Sequence, residues 1–330
     1  MGWHMRRRKF IKLLGAATAW PLTAGAQSAM PVIGYLQFGS LETSQSYLAA
    51  FHLGLGDTGF VEGRNVAIEY RGIQGHNEWI PTLVAEMVRL RVSVIAALGS
   101  TAAALAAKAA TQSIPIVFLQ GADPVRIGLV GSLNHPGGNL TGISLYQTEV
   151  AAKRFSLLLE LVPSAKTIGY LYNPTNPVFL ESERKQIEAA ADAASVRLLP
   201  VAASRPSDIE TAFQNLVEER AEALFVSNDG SFVAASDQIA ALAASRRLPA
   251  TYGWHDASAA SALLTYGANL PKAFRQAAVY IGRILKGENP SDLPVTQPTS
   301  FDLTINLKTA RALGLIVPVT LLAQADEVIE

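Results

Sequence analysis

Val94-Ile95-Ala96-Ala97-Leu98-Gly99-Ser100-Thr101 is an unbroken apolar run that ends in a glycine and two hydroxyl residues. A run with no polar alternation reads as a strand covered on both faces, the habit of parallel sheets between helices. The alanine-rich segment Thr101–Ala110 reads as the helix that follows, and Ser100 and Thr101 sit where a side-chain oxygen caps free backbone N–H groups. The same N–H groups, at the carboxyl end of a parallel strand, also make a ready site for a carboxylate. Capping and ligand binding both remain open for these two residues.

The pattern repeats in both directions. Strand segments are predicted at Val32–Phe38, Val66–Tyr70, Val92–Leu98, Ile116–Leu119 and Leu140–Leu145, and again at Thr167–Tyr172, Val196–Val201, Ala223–Val226 and Ala262–Tyr266. Helical periodicity fills the gaps, for instance at Gln45–Leu55, Trp79–Leu90, Lys153–Leu161, Glu181–Ala194, Ser207–Glu219 and Ala234–Ser245. Such alternation predicts βαβ crossovers. Ile33-Gly34-Tyr35-Leu36 returns as Ile168-Gly169-Tyr170-Leu171, each opening a strand that leads into a polar loop. The chain therefore reads as α/β, two similar doubly wound parallel-sheet lobes. The tail differs: Ala273–Leu285 is an amphipathic helix stopped near Gly287, Phe301–Ile305 alternates like a half-exposed strand, and Leu307–Leu313 is a short helix.

The 330 residues are 49% hydrophobic and 16% charged, a globular composition. Of 27 basic residues, five (Arg6, Arg7, Arg8, Lys9, Lys12) lie in residues 1–26, which hold no acidic residue; the remainder has 22 basic against 27 acidic residues, net −5. A mildly acidic body argues against nucleic acid as a partner. With no cysteine, disulfides, thiolate catalysis and Cys-ligated metals are excluded. The charged Arg6–Lys12, the apolar Leu13–Leu22 and the small-residue site Ala24-Gly25-Ala26 read as an export signal cleaved after Ala26, and Arg7-Arg8 resembles a twin-arginine motif. The apolar run is too short to span a bilayer, and no later run is long enough.

Other motifs have plain readings. Gly54-Leu55-Gly56-Asp57-Thr58-Gly59 matches G-x-G-x-x-G but ends a helix instead of following a strand, so a dinucleotide site is not expected. Asp123-Pro124 reads as a helix cap and first helical residue. Asn228-Asp229 follows a strand in the same way and could hold a ligand ammonium or cap the segment from Ser231. No histidine pair has metal-ligand spacing, and neither a G-x-S-x-G elbow nor a phosphate-binding loop is found.

Together with the export signal, several segments carry a resemblance: Pro31–Leu36, Gly59–Val66 leading into Ile68-Glu69-Tyr70, Ile114–Phe118, Asp123-Pro124-Val125, Pro136-Gly137-Gly138-Asn139-Leu140-Thr141-Gly142 and Asn306–Leu315. The chain resembles the exported substrate-binding proteins of ABC transporters that include tryptophan- and tyrosine-binding members. The resemblance implies a type I periplasmic-binding-protein fold with a three-segment hinge. Lobe 1 would comprise 30–146 plus 267–293 and lobe 2 would comprise 147–266 plus 294–330. It implies a ligand held between the lobes, with Ser100 and Thr101 on its carboxylate, Asp229 toward an amine, and Gln37, Phe38, Gln120, Asn173 and Tyr266 lining the cleft. Asn228-Asp229-Gly230 departs from the Asp-Asn pair of the amino-acid binders. It further implies a periplasmic, non-enzymatic monomer without cofactor or metal, which delivers a small molecule to an ABC permease in the inner membrane. An exported sensor module and a hydrolase or isomerase on a similar frame are the alternatives.

Overall fold

The computed structural model describes residues 30–39, 44–146, 150–254 and 262–330; the expected export signal lies outside them. The chain runs β1 (Val32–Gln37), α1 (Gln45–Asp57), β2 (Ala67–Gly72), α2 (Ile80–Arg89), β3 (Val94–Leu98), α3 (Thr101–Ala110), β4 (Ile116–Gln120) and β5 (Leu140–Ser144). It continues with α4 (Ala151–Leu161), β6 (Thr167–Tyr172), α5 (Pro177–Ala193), β7 (Arg197–Ala202), α6 (Pro206–Glu218), β8 (Ala223–Val226), α7 (Gly230–Ala234), α8 (Ser236–Ser245), β9 (Ala250–Tyr252) and β10 (Leu264–Gly267). Last come α9 (Leu270–Leu285), β11 (Asp302–Asn306), α10 (Leu307–Leu313), α11 (Val319–Leu322) and β12 (Glu327–Ile329). One sheet has the order β2-β1-β3-β4-β5, the other β12-β11-β10-β9-β8-β6-β7.

β3 shows why the apolar run folds as it does. All five of its residues are buried. Val94, Ala96 and Leu98 pack on one side of the sheet with residues of α1 and α9, whereas Ile95 and Ala97 join Met87 of α2 and Ala104 of α3 on the other. A strand with no exposed face has no use for polar alternation. The repeated Ile-Gly-Tyr-Leu has a structural counterpart as well: β1 lies between β2 and β3, and β6 between β7 and β8. In each copy the glycine admits a helix close to the strand. A Cβ on Gly34 would run into Met87 of α2, and one on Gly169 into Leu216 of α6.

Of the glycines in Gly54–Gly59, Gly54 serves packing and Gly59 makes a turn at φ +84°. A Cβ on Gly54 would meet the Arg275 carbonyl of α9, and one on Gly282 would meet Thr58. These contacts let α1 and α9 approach backbone to backbone, and an Arg275–Asp57 ion pair closes their rim at 2.8 Å. Pro200 of β7 is tolerated because β7 is an edge strand.

Several expectations need correction. The second sheet is not wholly parallel: β11 runs antiparallel to β10. It enters the sheet from a long connection that has first packed on β5, not from a βα crossover, so it arrives from the opposite end. No helix follows Asp123-Pro124. The Asp123 carboxylate accepts from the N–H groups of Val125 and Arg126, and the chain continues as turns that Gly128, at φ +69°, keeps from winding into a helix. The short strands β9 and β12 were not foreseen.

The chain passes between the sheets three times: after β5, after β10, and between Leu293 and β11. The third passage is tied to β5. Thr141 Oγ1 donates to the Leu293 carbonyl at 2.7 Å, Ser144 N–H to Thr296 O at 2.9 Å, and Thr296 N–H to Gly142 O at 3.1 Å. The three passages surround a cavity of about 390 Å³, bordered by Leu145, Asn269 and Pro298 among others.

Candidate functional site

The carboxyl ends of β1, β3 and β4 in one lobe face those of β6 and β8 in the other. Helices α3, α5 and α7, which follow β3, β6 and β8, begin at the gap, and this gathers polar groups at one place. Phe38, Ser100, Thr101, Gln120, Asn228 and Asp229 border the cavity there. It measures about 40 Å³, room for a few waters.

On the first lobe, Ser100 caps α3: its hydroxyl oxygen accepts from Ala103 N–H at 3.1 Å. Helix geometry leaves the N–H groups of Thr101 and Ala102 without intrahelical acceptors. Thr101 Oγ1 donates to Gln120 Oε1 at 3.1 Å, while Gln120 Nε2 donates to Ala122 O at 2.8 Å. The threonine hydroxyl therefore has only acceptor capacity left for anything in the cavity. Gly99 makes the turn at φ +85°, and the ring of Phe38 occupies the space its side chain would need. Phe38 is held edge-on by Phe274, with ring centroids 6.3 Å apart, and tilted against Tyr47.

On the second lobe, Asp229 caps α7 through Ser231 N–H at 2.9 Å. Its Oδ1 also accepts from Asn173 Nδ2 at 3.0 Å and from the Ser231 hydroxyl, and its Oδ2 from Asn176 Nδ2 at 2.9 Å. Behind it lies a buried ion pair. Arg154 of α4 and Glu183 of α5 are both 0% exposed and 3.4 Å apart. Arg154 also donates to Asn228 Oδ1 and Val226 O, each at 2.8 Å, and lies over the Phe225 ring at 3.9 Å. Glu183 accepts from Tyr170, the Ser227 hydroxyl and Asn228 N–H. Burial pushes the Glu183 carboxyl up, outweighing the opposing pull of Arg154 and the donors around it. Burial likewise lowers Arg154 to about 10.

The lobes touch at the site. A Cβ on Gly230 would lie 2.6 Å from the Gly99 carbonyl oxygen and 2.8 Å from Phe38 Cβ. Asn77 Nδ2 donates to Thr175 Oγ1 at 2.9 Å across the gap, and Arg126 donates to Ser182.

Of the residues expected to line the cleft, Phe38, Ser100, Thr101, Gln120 and Asp229 border the cavity. Asn173 is one layer back, buried against Asp229. Gln37 is buried at the end of β1 but does not reach the cavity wall. Tyr266 is elsewhere. Its ring packs on Phe301, 6.0 Å between centroids, in an apolar cluster with Leu157 and Leu303, because β10 pairs there with β11. Arg154 and Glu183 were not singled out from the sequence as site residues, and Asn228 was noted only as the neighbour of Asp229. The signal for the first two was available: Arg154 falls in the buried stripe Ala151, Phe155, Leu158, and Glu183 in the stripe that continues to Ile187 and Ala191.

Among the described residues no helix is long and apolar enough to cross a membrane, and no group of three His, Cys, Asp or Glu side chains is placed to hold a metal ion.

Comparison with known proteins gives a consistent result. A family model described as ABC transporter substrate binding protein matches residues 33–329. A tyrosine-binding protein of Clostridioides difficile is 29% identical over 261 residues, 79% of this chain and 74% of that one. A conserved domain protein from Vibrio cholerae superposes with a TM-score of 0.80 at 26% identity, covering 91% of this chain and 99% of that chain. An ABC domain from Streptococcus pneumoniae in complex with L-Trp superposes at 0.78 with 24% identity over the same shares.

Proposed function

The chain belongs to the ABC transporter substrate-binding protein family, and from that premise we propose that it captures a small carboxylate between its lobes and delivers it to a membrane permease as part of an importer. The observation that carries this reading is the cavity itself, where the capped N-terminus of α3 from one lobe meets Asn228 and Asp229 from the other. A ligand touching both sides stabilises the shut form by its difference in affinity for the two forms. The α3 terminus contributes roughly 0.3–2 kcal/mol toward an anionic group. Within residues 294–296, expected in the second lobe, Val295 bonds to Leu133 and Thr296 to β5, so the lobes comprise 30–146 plus 267–296 and 147–266 plus 297–330, and they move as rigid bodies about the three passages. The protein is exported to the periplasm, loses residues 1–26, and acts as a monomer without catalysis. The tyrosine-binding relative and the L-Trp complex place amino acids and related acids first among ligands to try.

A thermal-shift screen of amino acids and other small carboxylates tests this. A ligand at 100 times its Kd stabilises by about 2.7 kcal/mol, a readily measured rise in Tm. Substituting Ser100→Ala is expected to weaken that ligand about tenfold in calorimetry. The cost to the fold is about 1 kcal/mol for the lost cap. Unchanged affinity, or turnover of the ligand, would refute the assignment.

A further inference from the structure

The second lobe carries chemistry that narrows the ligand class, an inference that rests on the capture reading above. The orientation of the Asn228 amide is fixed. Arginine has donors only, so Arg154 Nη1, 2.8 Å away, must face Oδ1. Asn228 is 8% exposed and borders the cavity, and its Nδ2 has no partner among the described residues. A buried donor left unpaired is costly, and a ligand acceptor would relieve it. Asp229 offers the reverse case. Asn173, Asn176, and the Ser231 N–H and hydroxyl supply four donors, about as many as a carboxylate can accept. Among the described residues Asp229 is also the sole charged side chain bordering the cavity. Three of the four donors fall on Oδ1 and one on Oδ2, so a ligand ammonium would meet an unpaired donor and a carboxylate with one open site, on Oδ2.

We propose that the cleft takes a small organic acid that lacks an amine, such as a 2-oxo acid or a dicarboxylate. One acceptor oxygen meets Asn228 Nδ2, and a carboxylate faces the N–H groups that open α3. The departure of Asn228-Asp229-Gly230 from the amino-acid binders' pattern is then a change of cargo.

Matched probes test this on the full-length protein by calorimetry: pyruvate against alanine, 4-methyl-2-oxopentanoate against leucine, phenylpyruvate against phenylalanine, and succinate against aspartate. In the pair that binds, the amine-free member is expected to bind at least tenfold tighter. Asn228→Asp keeps an acceptor for Arg154 and replaces the donor by a second acceptor, so it should reverse that preference. Circular dichroism checks its fold, and if it fails to fold the wild-type pairs decide alone. Tighter binding of the amino acid, or a preference unmoved in folded Asn228→Asp, overturns the inference. So does failure of every probe. In that case a different ligand from the wider screen, weakened by Ser100→Ala, would leave the capture reading standing, whereas no ligand at all would remove both.

Discussion

Arg154→Met is expected to cost about 3–5 kcal/mol of folding stability, the usual penalty for stranding one member of a buried ion pair. Arg154 and Glu183 are wholly buried. Methionine fills much of the space but leaves the Glu183 carboxylate without its counter-charge, and leaves Asn228 Oδ1 and Val226 O without a donor. Against a total of about 5–15 kcal/mol for an ordinary domain, such a loss moves a urea midpoint far. A midpoint within experimental error of wild type would refute it. Glu183→Gln is the milder change and carries a pH signature. Because burial raises the Glu183 pKa above its ordinary value of 4.5, the folded protein holds that proton more tightly than the unfolded chain. The resulting stabilisation is complete below pH 4.5 and is lost as pH rises through the folded value. Glutamine does not titrate, so the stability of wild type minus that of Glu183→Gln should fall between pH 4 and pH 8. Arg154, lowered to about 10, stays protonated throughout this range and does not blur the slope. A difference that grows with pH would contradict the assignment.

Gly230→Val is expected to abolish high-affinity capture while sparing the fold. Its side chain would be directed at the Gly99 carbonyl oxygen and at Phe38, already 2.6 and 2.8 Å from a Cβ. Those groups lie on the opposite lobe, so the collision exists only when the lobes are shut. Gly230 starts a helix without a positive φ, and a side chain is tolerated there in the open form. Weakening by at least 100-fold, about 2.7 kcal/mol, should appear in calorimetry, with the ligand-free melting temperature shifted by no more than a surface substitution shifts it. Retained affinity would mean that capture does not require the backbones to meet at this point.

Much of this architecture was legible in the chain because parallel α/β sheets are written redundantly. The run Val94–Leu98 announced a strand buried on both faces, Ser100 announced a helix start, and the repeated Ile-Gly-Tyr-Leu marked equivalent strands, each one in from an edge. What escaped was set by distant partners. Ala250–Tyr252 is three residues long and is a strand only because β8 and β10 flank it. Tyr266 sits at a strand's carboxyl end like the cavity residues, yet the pairing of β10 with β11 gives its ring to Phe301. Asp123 has the residue type of a cap but turns back on its own loop. The site was half legible. Residues right after β3 and β4 follow from local pattern, whereas the task of Asn228 depends on an arginine 74 positions away, which no local window contains.

The bond ladder between residues 293–296 and β5 has a mechanical consequence. A strip fastened to the first sheet travels with it, so bending on the third passage is confined to residues 297–301. The first passage follows Leu145, and the second lies at Ala268 and Asn269. Three short spans gathered around one cavity form an axle, not a ball joint. In the closure proposed above the halves would swing along a single arc, which would bring the α3 terminus to Asn228 in one register.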